Sequence, residues 1–98
     1  MDYKIKIKRV ENNGAITRIY SEDEKFLLDV PTEANIKMNN NLDVKITKEK
    51  YEHKKIKVQL YCLVFRVFDN YSLVSAGGLL CKVPVCLDLD DDVFITIS

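Results

Sequence analysis

Ninety-eight residues, 47% apolar and 31% charged, describe a single folded domain (1–98) and exclude a disordered chain. Lys and Arg balance Asp and Glu at 15 each. The cations lead by 13 to 10 in residues 1–57 and trail by 2 to 5 afterwards, an asymmetry too weak for a dedicated nucleic-acid binder.

The chain opens on "YKIKIKRV", where Ile5 and Ile7 alternate with Lys4, Lys6 and Lys8. Period two predicts a half-buried strand with a lysine-covered outer face, which resists pairing with other sheets. Asn13-Gly14 is a turn dipeptide and "AITRIYS" supplies a second strand, so residues 3–21 are expected to form a hairpin. "SEDE" turns the chain into "KFLLDV", a third strand that Pro31 ends. In residues 32–41, Ile36 and Met38 alternate with Asn35 and Lys37, and a short strand is expected. Alternation resumes in "LDVKITKE" through Leu42, Val44 and Ile46. After the charged "KEKYEHKKIK" comes "KVQLYCLVFRVF", apolar on both faces. "YSLVSAGGLLCKV" returns, and the acidic "DLDDD" leads into "VFITIS", with Val93, Ile95 and Ile97 in step. Seven or eight short strands and no helix predict an all-β fold, a small antiparallel barrel.

Two geometries compete for the apolar hairpin. A two-residue turn at Asp69-Asn70 sets Phe68 against Tyr71, and in strict register puts Gly77 opposite Cys62 and Gly78 opposite Tyr61. One face then carries Tyr61, Leu63, Phe65 and Val67 with Val74, Ala76 and Gly78. The other carries Leu60, Cys62, Val64 and Phe68 with Tyr71, Leu73, Gly77 and Leu79. Alternatively Gly77-Gly78 is itself the turn, pairing Ala76 with Leu79 and Val74 with Cys81. With both faces apolar, the ribbon covers the core on one side and needs a cover on the other, from the barrel itself or from a partner.

An ordered series of segments resembles a known family, the small OB-like RNA polymerase subunit called RpoG in archaea, counterpart of the eighth subunit shared by the eukaryotic nuclear polymerases. "TRIYSEDEKFLLDV" resembles its strand pair with an F-x-x-D element, here Phe26 and Asp29. "ANIKM" and "LDVKI" follow, and "YCLVFRVFDN" is similar to its Y-G-x-V-Y-R-I strand. "SLVSAGGLL" resembles its Y-V-S-x-G-G-L-L strand, and "LDLDDDVFITI" its closing segment. The match runs from Thr17 to Ile97. The connection "TKEKYEHKK" is short, as in a minimal archaeal-type member, so contacts made by longer loops do not transfer.

The resemblance implies an OB-like barrel without catalysis or cofactor of its own, docked on the largest polymerase subunit. It also implies glycines inside a strand, favouring the Asp69-Asn70 hairpin. The expected partner interface comprises Tyr61, Leu63, Phe65, Tyr71, Ser75, Ala76, Gly77, Gly78, Leu79 and Leu80, acting through an outer face or a free strand edge.

No nucleophile–base pair can be assembled from the remaining residues. His53 sits in a charged connection and reads as solvated. Asp88, Asp90, Asp91 and Asp92 lack the glycine and glutamate spacing of an EF-hand loop and read as a solvated turn. Cys62, Cys81 and Cys86 lie in apolar runs and are expected in the core as reduced thiols. Lys45, Lys48, Lys50, Lys54, Lys55 and Lys57 form a possible nucleic-acid face, with Tyr51 alone among them to stack a base. A free-standing single-strand binder is therefore the alternative function. No apolar run reaches the ~20 residues of a membrane span, and the first ten residues lack a signal-peptide core. A cytoplasmic protein is expected, near DNA only through the polymerase.

Overall fold

The lysine–isoleucine alternation at the start becomes β1 (Asp2–Asn13), which buries Ile5 and Ile7 and turns Lys4, Lys6 and Lys8 to water. The computed structural model describes residues 1–37, 41–52 and 55–98. β1 pairs with β2 (Ile16–Ser21), and β2 with β3 (Leu27–Pro31). The first turn is centred on Gly14-Ala15, one residue later than the dipeptide suggested. Gly14 has φ 70° while Ala15 does not enter the positive-φ region, the pattern of a II′ hairpin.

Residues 32–37 depart from the expected strand. Thr32–Ala34 form one 3₁₀ turn, closed by Asn35 at φ 55° with its N–H on Thr32 O. Ile36 is buried as predicted, but as part of a connection; Met38 lies outside the described residues. β4 (Asn41–Thr47) buries Leu42, Val44 and Ile46. β5 (Val58–Val67) and β6 (Ser72–Ala76) form a hairpin, β7 (Leu79–Val83) pairs back on β6, and β8 (Asp92–Ile97) closes the chain.

Around the barrel the order is β1-β2-β3-β7-β6-β5-β8-β4, and β4 pairs with β1 to close it. Every neighbouring pair is antiparallel, and because the ring closes no strand among the described residues is a free edge. The interior is filled by one side chain in two from each strand, with Ile19, Leu28, Val30, Val64, Val74, Val83, Ile95 and Ile97 all completely buried.

Both proposed turns exist. Phe68 N–H bonds to Tyr71 O at 2.9 Å, closing the turn at Asp69-Asn70. Gly77 and Gly78 are the central pair of a second turn, with Ala76 opposite Leu79 and Val74 opposite Cys81. The glycines therefore do not face Cys62 and Tyr61, and "SLVSAGGLLCKV" is two strands. Their φ angles of 57° and 97° are the reason. A I′ turn needs positive φ at both central residues, and glycine adopts it without a side-chain clash. A β-carbon on either would meet nothing within 4 Å, so close packing plays no part.

The strict register also fails, at a bulge. Val64 pairs with Val74 but Arg66 with Leu73, leaving Phe65 extra. Phe65 and Arg66 consequently both face outward, and Val67 returns inward opposite buried Ser72. The inner face of the hairpin is thus Leu60, Cys62, Val64, Val67, Ser72, Val74 and Ala76. The outer face is Tyr61, Leu63, Phe65, Arg66, Leu73 and Ser75.

Two connections cover parts of the barrel. Residues 84–91 are pinned beside the bulge, with Asp90 N–H on Val64 O at 2.9 Å and Val64 N–H on Asp91 O at 2.8 Å. The Ser72 hydroxyl donates to Val85 O at 2.7 Å and accepts Leu87 N–H at 2.8 Å. Tyr51 lies over the outside of β8, where Gln59 Nε2 donates to Tyr51 O (2.6 Å) and Thr96 Oγ1 (2.9 Å). Thr96 is an outward residue of β8 and is nevertheless buried by this cover.

Candidate functional site

Outside the covered region, the barrel wall divides by composition. The β1–β2 wall is charged, presenting Lys4, Lys6, Lys8, Arg9 and Arg18. The β5–β6–β7 wall is apolar and open to water. Tyr61 is 58% exposed, Leu63 50%, Leu80 43% and Phe65 40%. Leu63, Ser75 and Leu80 stand in one cross-strand row, since Leu63 pairs with Ser75 and Ser75 with Leu80. Phe65, Leu73 and Leu80 join Leu27 of β3 and Arg18 of β2 around a shallow pocket of about 220 Å³. Two residues along β5 from Leu63, Tyr61 packs on Phe94, ring centroids 4.9 Å apart, and its hydroxyl bonds to Asp92. That bond pushes the Tyr61 phenol above its ordinary pKa.

Among the described residues the second face of the ribbon is therefore not covered by the barrel. The expected interface residues split into three groups. Tyr61, Leu63, Phe65, Ser75 and Leu80 share the outer wall. Ala76, Gly77, Gly78 and Leu79 form the hairpin tip, where Ala76 and Leu79 pack partly against the core and the glycines are exposed. Tyr71 stands at the opposite end, stacked on Phe68 at 4.5 Å with Lys82 Nζ 4.7 Å from its ring centroid. With every strand paired in the closed ring, the described residues leave no free edge for strand addition.

The F-x-x-D element has a structural task. Phe26 is buried, with Tyr3 edge-on at 5.1 Å. Asp29 points outward yet is 3% exposed, because Arg18 lies over it. Its hydrogen bonds and charge hold the Arg18 guanidinium well above its ordinary pKa.

The lysine series does not assemble into one basic groove. Lys45 is bound to Asp2 at 3.0 Å and lies 4.3 Å from the Tyr51 ring centroid; Lys48 is bound to Asp91 at 2.7 Å. These hydrogen bonds raise the pKa of both lysines. Lys50, Lys55 and Lys57 are exposed along the connection, and Lys54 lies outside the described residues, as does His53. Of the acidic group, Asp91 and Asp92 are engaged by Lys48 and Tyr61, and Asp88 and Asp90 are exposed. Among the described residues no three His, Cys, Asp or Glu side chains are grouped to hold a metal ion, and no helix is long and apolar enough to cross a membrane.

Cys62 and Cys81 are buried as expected, and burial pushes both thiols up to about 12. Cys86 is a correction: it lies in the 84–91 connection and is exposed. Its apolar neighbours Val85 and Leu87 face the core and turn Cys86, between them, outward.

Four contributors to the wall escaped sequence reasoning: Leu27, Arg66, Leu73 and Lys82. Leu27 comes from a distant strand, and Arg66 is turned outward by a bulge that leaves no mark in the residue pattern. A signal did exist for the cations. Arg66 and Lys82 are the only ones after residue 57, and both stand on this wall.

In comparisons by sequence, no protein-family model matches the chain, and neither does any curated protein.

Proposed function

We propose that the chain is a non-catalytic assembly subunit of DNA-dependent RNA polymerase, held on the largest subunit by the outer wall of β5, β6 and β7. The observation that supports this most is the exposed cluster of Tyr61, Leu63, Phe65 and Leu80 on the β5–β6–β7 wall. Monomeric proteins rarely leave such residues contiguous, and a partner is the usual cover. Covering four half-exposed side chains releases about 4 kcal/mol before the costs of association. That suffices to anchor a subunit that adds further contacts and falls short of a tight complex alone. The series "YCLVFRVFDN" and "SLVSAGGLL", similar to polymerase-subunit strands, supplies the partner's identity in this reading.

A second reading, a single-strand nucleic-acid module, has one observation in its favour. Tyr3, Lys4, Lys45 and Tyr51 line a groove of about 380 Å³. Asp2 and Asp43 line the same groove, and Asp2 already binds Lys45, so its field is weak for a polyanion. Tagging the chain in its native cell and purifying it gently tests the first reading: polymerase subunits in stoichiometric amounts are expected. A preparation free of them overturns it.

A further inference from the structure

We infer that the anchor point of this wall is the pocket between Leu27, Phe65, Leu73 and Leu80, and that it takes a protein segment carrying an apolar side chain flanked by carboxylates. The inference rests on the docking reading above and specifies the chemistry of the partner.

One cross-strand row fixes the charge pattern. Arg9, Tyr20, Leu27, Lys82, Leu73 and Arg66 are successive partners across β1, β2, β3, β7, β6 and β5. At roughly 4.8 Å per strand, Lys82 and Arg66 stand about 10 Å apart with Leu73 between them. Cations thus bracket the apolar floor. Arg18 lines the pocket too, but its charge is matched by Asp29, and Arg9 is matched by Glu11 at 3.0 Å. Lys82 and Arg66 have no carboxylate in ion-pair distance among the described residues. Their nearest named neighbours are rings: Lys82 on Tyr71, and Arg66 with its guanidinium carbon 5.7 Å from the Phe68 centroid. Glu24, already bound by Lys8 at 2.6 Å, is near enough for Lys82 to help lower its pKa but forms no ion pair with it. The wall therefore presents two cations without an ion-pair partner among the described residues beside an apolar pocket, and its complement is an acidic–apolar segment.

Three rings around this wall are already capped or stacked, while Tyr61 and Phe65 stay exposed, and binding of an oligothymidine decides what they take. Bases stack on free aromatic faces. Tyr20 has Arg9 4.2 Å from its centroid, Tyr71 has Lys82 on its ring, and Phe68 and Tyr71 stack on each other. The pocket floor itself is leucine with one phenylalanine, suited to a Leu, Ile, Met or Phe anchor.

The test is selection of a randomised ten-residue displayed-peptide library on the full chain, in parallel with an Arg66→Glu/Lys82→Glu variant whose folding is checked by circular dichroism. On the unaltered chain, enriched peptides should carry Asp or Glu around one large apolar residue. They should bind the variant about tenfold more weakly and protect the Leu27, Leu73 and Leu80 amides in NMR titrations. Peptides without acidic residues, peptides indifferent to the charge reversal, or no enrichment at all would each overturn the inference. Salt-sensitive binding of a twelve-residue oligothymidine to this wall would overturn it in favour of nucleic acid. The two readings fail separately. Polymerase subunits retained by the charge-reversed variant would refute this anchor and leave the polymerase role. Acidic–apolar peptides selected by a chain that purifies without polymerase would do the reverse.

Discussion

Arg18 on β2 grips the Asp29 carboxylate on β3 through Nε at 2.7 Å and Nη2 at 3.0 Å, and the Leu80 N–H of β7 donates to the same carboxylate at 3.1 Å. β3 and β7 share just two paired positions, Leu27 with Lys82 and Leu28 with Cys81. Asp29 thus continues by side chain a seam that the backbone abandons, and it fixes the strand that carries Leu80.

Asp29→Ala leaves the Leu80 N–H without its acceptor and Arg18 without its counter-charge. The unfolding free energy in urea should fall by about 2–3 kcal/mol, less than for a wholly buried pair because Arg18 is partly in water. A loss below ~0.5 kcal/mol would mean that the seam closes without the carboxylate.

Gly77 and Gly78 are asked for positive φ and nothing else. Gly78→Ile should cost about 1–2 kcal/mol in chemical denaturation, from the left-handed backbone penalty of a β-branched residue. Gly77→Asn should be nearly neutral, since asparagine is accepted in I′ turns. Equal losses for both would contradict this turn geometry. Loss of partner binding in Gly78→Ile reports hairpin strain as well as contact, so it is a poor probe of the interface.

Thiol chemistry should single out one cysteine. With a disulfide reagent the native protein should release one equivalent quickly, from Cys86, and two more only on unfolding; Cys86→Ser should abolish the fast phase. Cys62 and Cys81 titrate near 12 in the fold, against about 8.5 for an unfolded thiol. The folded chain keeps protons that the unfolded chain releases. The thiol contribution to stability is therefore complete below pH ~8.5 and is lost as pH rises toward 12. Urea midpoints measured in reductant from pH 7 to 10 should decline, and Cys81→Ala should decline less steeply.

Much of this fold is written in period two. Ile5 and Ile7, Leu42, Val44 and Ile46, and Val93, Ile95 and Ile97 alternate with polar residues, and each set is buried. The pattern fails where both faces of a strand are apolar. In β5, β6 and β7 alternation carries no information about which residues point in, so a one-residue bulge at Phe65 leaves no trace. The resemblance that placed the glycines inside a strand reinforced the wrong geometry, while the plain chemistry of Gly-Gly indicated a turn. The same ambiguity was the clue to the wall: residues apolar on the far side of a strand have no reason to be so unless something covers them. Tyr61, Leu63, Phe65 and Leu80 were readable for that reason. Arg66, Lys82 and Leu27 were not, because their adjacency depends on which strands the barrel brings together.

The central claim is that this uncovered wall is a docking face, and a Leu63→Ser/Leu80→Ser variant tests it most directly. Both side chains keep about half their surface in the fold, so the double change should cost about 2 kcal/mol, and the variant's folding is checked by circular dichroism before comparison. Tagged versions of the variant and the unaltered chain, purified side by side from the native cell, should differ in one respect: the unaltered chain brings the largest polymerase subunit in stoichiometric amount, and the variant loses most of it. Equal recovery of that subunit by a folded variant would contradict the account.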